Sequence, residues 1–421
     1  MSALPARGSP GARTAPLVAI LLATALLGAG PGGAETDAPE AEKTSAKPKG
    51  ASPLGNWNLR GTAETSFYAD DDHVTVVSPT IALGFDNPLN GWSFGGSYLV
   101  DVVSAASADI VATATPVWHE VRHAASANLG YKPGSVGVAI SGSASIEPDY
   151  LSATGGGTLT WDTFEKNVTF MLGYGYGHDI AGVHETSFDV FRRDLDRHQV
   201  NGGAAWTLDR ATLATLVADA VFEQGDQSKT YRYVRMFLPG TADSIPVGAT
   251  IDLVNERRYF QRPREQLPLS RERFALTGRV AHRFTSSTIR AEERLYIDSW
   301  GLFASTTDLR MIWGIGDRLS FGPRARFHAQ TGAGFWRRAY EVVDVKGVLV
   351  PPTIRTGDRE LGPLVSFAGG LALSADLGTP AEGNRVLSVV VDGMYTSYQD
   401  ALYLTSRAAL FSALTFNAVF E

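Results

Sequence analysis

Arginine is the residue most able to do chemistry in this chain of 421 residues. It outnumbers Lys thirty to seven, and twelve Arg with no Lys and only six Asp or Glu fall between residues 270 and 340. Their spacing is two. Within 270–284, Arg271, Arg273, Arg279 and Arg283 share one parity, and Phe274, Leu276, Val280 and Phe284 take the other. Within 287–298, Arg290, Glu292, Arg294 and Asp298 oppose Ile289, Leu295 and Ile297; Asp308 and Arg310 follow, and then Arg324, Arg326 and His328 oppose Phe321 and Phe327. Successive side chains of a strand point to opposite faces. Four neighbouring strands would therefore set one basic wall against one apolar wall. Such a wall can favour anions through its field, or it can pair with its own carboxylates and stiffen a sheet. Glu293 breaks the parity and is expected at a rim or a bulge.

Other constellations are weaker. His119-Glu120-Val121-Arg122-His123 fits H-E-x-x-H. Zinc chemistry needs that motif on a helix, and its flanks read as a strand, where i and i+4 lie about 13 Å apart at ~3.3 Å per residue. No metal or cofactor is expected from it. Asp70–Asp72 with His73 could hold a divalent cation weakly. Residues 224–269 interleave Lys229, Arg232, Arg235, Arg257, Arg258, Arg262 and Arg264 with Tyr231, Tyr233, Phe237, Tyr259 and Phe260. That mixture can bind nucleic acid. On an exported chain, lipopolysaccharide phosphates or an infolded constriction fit it better, and plain solvated charge fits it as well. No nucleic-acid partner is expected. Nucleophile-elbow, Walker and dinucleotide signatures are missing from any suitable context.

The elements that must position these residues are strands. Alternation runs through Trp92–Val102, Asn167–Gly177 and the final stretch to Phe420. Runs of about 10–14 residues match tilted membrane strands, whereas soluble strands average about 5–6. Aromatics recur near strand ends at Trp57, Phe85, Trp92, Tyr131, Trp161, Trp206, Phe284, Trp300 and Trp313, where interfacial girdles would lie. Sixteen strands are predicted, near 55–68, 73–85, 92–103, 117–131, 136–147, 149–161, 167–177, 195–208, 211–223, 270–284, 287–298, 302–315, 318–330, 360–376, 385–398 and 401–420, and a count of fourteen or eighteen also fits. Even-numbered connections are tight. The long ones, 104–116, 178–194, 224–269 and 331–359, are all odd-numbered, which is the outer-membrane pattern.

Arg7 and Arg13, an apolar run from Pro16 to Leu27 and small residues ending at Ala34 form a secretory signal over residues 1–34. Residues 35–54 read as a flexible periplasmic tail and 55–421 as one barrel domain. With no Cys, disulfides and thiol chemistry are excluded. A hydrophobic fraction of 44% and a hydropathy near zero exclude a bundle of membrane helices. Phe420 is penultimate and Glu421 last, where outer-membrane barrels usually end on an aromatic.

The stretches YLVDVVSAASADIVATATP (98–116), EVRHAASANLGYKPG (120–134), EPDYLS (147–152), ERLYIDSWGLFASTTDLRMIW (293–313) and GPRARFHAQTGAGFW (322–336) resemble an outer-membrane barrel family known only as a domain of unknown function. That resemblance implies the barrel and its location and supplies no activity. The expectation is an all-β, transmembrane, antiparallel up-and-down barrel in the outer membrane of a Gram-negative-type envelope, not an enzyme. It would pass small solutes passively, with an anion preference set by Arg271, Arg273, Arg279, Arg283, Arg290, Glu292, Arg294, Asp308, Arg310, Arg324 and Arg326. A non-conducting scaffold is the alternative, and a lipid hydrolase the lesser one. Expected partners are outer-membrane lipid, lipopolysaccharide, the barrel-assembly machinery and the solutes.

Overall fold

The computed structural model describes residues 55–105, 118–378 and 384–420. The expected signal and tail, most of the first long loop and Glu421 lie outside them. Sixteen antiparallel strands close into one barrel. They are β1 (Asn58–Asp70), β2 (Val74–Asn87), β3 (Trp92–Ala105), β4 (Trp118–Tyr131), β5 (Val136–Glu147), β6 (Tyr150–Thr163), β7 (Val168–Ala181), β8 (Arg193–Thr207), β9 (Thr212–Gly225), β10 (Ser270–Arg283), β11 (Ser287–Asp298), β12 (Phe303–Ile315), β13 (Leu319–Gln330), β14 (Leu364–Asp376), β15 (Arg385–Tyr398) and β16 (Ser406–Phe420). Each pairs with its sequence neighbours, and β1 pairs with β16 from Leu59↔Phe420 to Asp70↔Ala409, so no edge is left.

The alternation decides which way each face turns. Phe274, Leu276, Val280, Ile289, Leu295, Ile297, Leu309 and Phe327 are exposed on the outside, while Glu223 and Asp298 are buried on the opposite parity. An apolar outer belt over a polar interior is the arrangement a bilayer requires of a closed sheet. Trp57, Trp92, Tyr131, Trp161 and Phe284 gather at the end of the tight turns. One of those turns depends on Gly91, at φ +74°, where a Cβ would sit 2.3 Å from the Lys132 carbonyl oxygen.

Three expectations need correction. Trp300 belongs to no girdle: it is buried in the β11–β12 turn against Leu267, Trp336 and Leu361. Residues 360–363 and 401–405 lie outside the strands, because Leu361, Leu402 and Tyr403 join loop cores and Ala401 packs on Leu364 and Tyr398 instead of continuing the barrel wall. Glu293 sits in mid-strand with unbroken pairing to Gly278 and Thr307, so neither a rim nor a bulge accounts for it.

At the open end, the connections after β9, β13 and β15 fold together. Phe237, Ile245, Ala249 and Val254 pack with Ala339, Leu402 and Tyr403. Val234 and Met236 pack with Tyr340 and Val342, and Met236–Phe237 pairs in parallel with Tyr340–Glu341. A short helix, α1 (Ile251–Arg257), starts where the Thr250 hydroxyl accepts the Leu253 N–H. These loops form a cap with its own core.

Candidate functional site

The Arg wall lies on the inward face of β10–β13, and cross-strand register sorts it into rows. Arg290 (β11), Arg310 (β12) and Arg324 (β13) are direct neighbours in one row. Arg279, Glu292, Asp308 and Arg326 form the next row toward the cap. Further up stand Arg294, Arg273 and Arg271. Arg283 lies at the tight-turn end and is exposed.

Most of these cations have a carboxylate. Arg279 meets Glu292 at 2.6 Å, Arg310 meets Asp308 at 2.8 Å, Arg294 meets Asp219 at 3.1 Å, Arg273 meets Glu223 at 2.9 Å and Arg271 meets Asp298 at 2.5 Å. Arg324 pairs with Asp392. Arg290 comes only within 3.9 Å of Glu292, whose carboxylate Arg279 already holds. No ion pair engages Arg283 or Arg326 among the described residues. The wall is therefore a ladder of pairs with cations left over. Sequence reasoning stopped at residues 270–340 and missed three of the acids. Asp219 and Glu223 on β9 and Asp392 on β15 share the inward parity, opposite Leu216, Phe222 and Val391, and that signal could have found them.

The wall opposite is rich in hydroxyls. Ser97 and Ser126 are hydrogen-bonded at 2.7 Å, Ser143 and Thr154 at 2.6 Å, and Thr62 donates to Asn417 at 2.7 Å. Ion pairs stand here too, with Arg122 on Asp101 at 2.6 Å, Arg197 on Asp179 at 2.8 Å and Arg60 on Asp86 at 3.0 Å, so the lumen is polar and charged all round, and the unmatched Arg290 and Arg326 stand on β11 and β13.

At the mouth, Glu120 turns inward while His123 turns outward, where the Tyr98 hydroxyl lies 2.7 Å from its Nδ1. H-E-x-x-H therefore splits across the sheet. Glu120 instead joins Glu147 and Asp149, with one oxygen from each within 4.8 Å of the others. Asp70, Asp71 and Asp72 are not gathered round one point. Asp70 accepts from Tyr68 and from the Val74 N–H, Asp71 accepts the Ala408 N–H, and Asp72 pairs with Arg359 at 2.5 Å.

The aromatics of the 224–269 loop build core instead of a stacking platform. Tyr231 and Phe237 are buried, and only Phe260 is strongly exposed. The Tyr231 hydroxyl donates to Asp149 at 2.6 Å and accepts the His184 N–H at 2.5 Å. Next to it, Arg232 binds Asp358 at 2.7 Å and Glu265 at 3.2 Å. Three contacts in succession, Tyr231 on Asp149, Arg232 on Asp358 and Arg359 on Asp72, link the β5–β6 turn to the β1–β2 turn through loops rooted on the far side of the ring. Burial, with Arg232 alongside, pushes the Lys229 ammonium below its ordinary value, against the pull of Asp358, Glu265 and Glu147. Of the other loop cations, Arg235 lies over the Tyr403 ring, Arg257 donates to the Ser244 carbonyl and Arg258 to Asn255, while Arg262 and Arg264 are exposed.

A closed, apolar-belted sheet with tight turns at one end, folded loops at the other and a charged interior defines a transmembrane β-barrel of the outer-membrane type. The chain belongs to the family described as Protein of unknown function (DUF3570), whose model matches residues 24–385. No curated protein matches it by sequence. Among solved structures it is similar to a bacterial polysaccharide outer membrane secretin (9% identity, 87% of this chain and 98% of that one, TM-score 0.44). It is also similar to OccK5 (OpdH) of Pseudomonas aeruginosa (8%, 87% and 99%, 0.39) and to the CymD monoaromatic hydrocarbon channel (11%, 87% and 89%, 0.39). At such overlaps, strand count and register rest on the chain's own structure.

Proposed function

We propose that this protein resides in the outer membrane and passes small solutes passively, with a preference for anions and no catalytic step. One observation carries this reading. The inward faces of β10–β13 hold more guanidinium than the carboxylates around them neutralise, with Arg290, Arg310 and Arg324 side by side. Sixteen strands enclose more space than wall side chains fill, and a field of one sign in a narrow aqueous lumen selects ions. The cap is the constriction at the outer mouth. Outer-membrane lipid and lipopolysaccharide surround the belt, and the barrel-assembly machinery inserts it.

The test is the reversal potential of the refolded mature chain in a planar bilayer under a KCl gradient. Chloride preference is expected, and cation preference overturns it. The Arg232 contacts that lock the cap favour a second reading, a closed scaffold for a surface or periplasmic partner. A silent but correctly folded, heat-modifiable barrel would select that reading.

A further inference from the structure

We infer that Arg290, Arg310 and Arg324, with Arg326 beside them, form a discrete binding site for a compact dianion. The inference rests on the channel reading and narrows it from a general field to one ligand class.

Neighbouring strands lie about 4.8 Å apart, and like charges directly opposite one another destabilise a sheet. Three guanidiniums in one row therefore need an anion. The chain supplies too few. Across this row and the next stand five cations, Arg279, Arg290, Arg310, Arg324 and Arg326, against the three carboxylates Glu292, Asp308 and Asp392. Two positive charges are left, centred on Arg290 and Arg326.

The placement of the acids sharpens this. Glu292 and Asp308 lie on the cap side of the row, and Asp392 lies beyond its far end. On the tight-turn side the next row is Thr288, Ile312, Gly322 and Ala372, which carries no charge and, Ile312 apart, little bulk. The three guanidiniums keep about a quarter to two fifths of their side-chain surface open to the lumen. Arg290 offers a planar fork that fits two oxygens of one phosphate or carboxylate, and Arg310 and Arg324, whose Nε–Nη2 edges hold Asp308 and Asp392, keep their Nη1 donors. A ligand with two negative charges on oxygens a few ångströms apart would engage the row, balance the excess and leave the existing pairs in place. Inorganic phosphate, a phosphate ester or a short dicarboxylate has that chemistry.

The probes are inorganic phosphate and succinate, added at fixed ionic strength to the mature protein in a planar bilayer with KCl. Phosphate or succinate is expected to block current reversibly, and the stronger of the two names the ligand class. Phosphate block is expected to weaken by more than tenfold from pH 8 to pH 5.5, as the monoanion replaces the dianion. Arg290→Gln and Arg310→Gln should each weaken block at least tenfold, and Arg60→Gln on β1 should leave it unchanged; heat-modified mobility reports that each variant has folded. Dianion and chloride acting alike, or block surviving in both row variants, overturns the site. Chloride preference without dianion block leaves the channel reading standing and removes this one. If the barrel is silent, titration calorimetry of phosphate into the protein in detergent should show one saturable site that both row variants abolish, and no heat overturns the inference.

Discussion

Asp392 on β15 reaches Arg324 on β13 across the intervening strand β14, because the residue between them is Gly370. A Cβ there would lie 1.8 Å from Asp392 Oδ1 and 2.4 Å from the Val391 carbonyl oxygen. Gly370→Ala should therefore break the pair and destabilise the barrel by about 1–3 kcal/mol, the usual cost of overpacking. Urea unfolding in lipid vesicles checks this, and Asp392→Asn with Gly370 retained separates the lost charge from the clash.

Removing Arg232 should unlatch the cap. Its guanidinium joins Glu265, whose side chain is fully buried, to Asp358. Breaking a buried pair by deleting one partner costs about 3–5 kcal/mol. Arg232→Ala is expected to expose residues 226–269 to proteolysis, to raise conductance and to leave the barrel heat-modifiable. A variant as protected as the parent would show that the apolar cap cores suffice.

The cap should tighten in alkali. The Lys229 pKa is lowered by burial and by Arg232, so between that folded value and 10.5 the unfolded loop binds more protons than the folded one. Stability therefore rises with pH through that window and is level below it. Amide exchange over 226–269 from pH 7 to 10.5 should slow accordingly, beyond the intrinsic chemical trend. Lys229→Met should be better protected at pH 7 and show no such rise.

Glu293 faces lipid at mid-strand, with the Ser305 and Thr307 hydroxyls each donating to one of its oxygens at 2.6 Å. Basic charges on this face cost about 2–4 kcal/mol at the midplane and acids less, so Glu293→Gln is expected to stabilise the barrel by on the order of 1 kcal/mol. Denaturant titration of both forms in vesicles reads the difference. A loss of stability would mean that the carboxylate is used within the membrane.

A repeat of two residues is a local property, and it was legible without a structure. Strand number, the inward parity of Arg271 through Arg326 and the outward parity of Phe274 or Phe327 follow from which side chains tolerate lipid. Register was not legible, because it joins residues far apart in the chain. Arg294 meets Asp219, 75 positions away, and Arg324 meets Asp392, 68 positions away. Only the closed sheet makes Arg290, Arg310 and Arg324 one row, and only there does the excess of cation over carboxylate become local. The cap was hidden for the same reason. Phe237, Ala339 and Leu402 belong to three separate loops, and no periodicity announces that their apolar surfaces meet. Trp300 and Glu293 mark the limit. Trp300 stands at a strand end, as a girdle residue would, yet tertiary packing buries it under loops. Glu293 breaks the charge parity, yet the strand tolerates it because two hydroxyls from β12 satisfy its carboxylate.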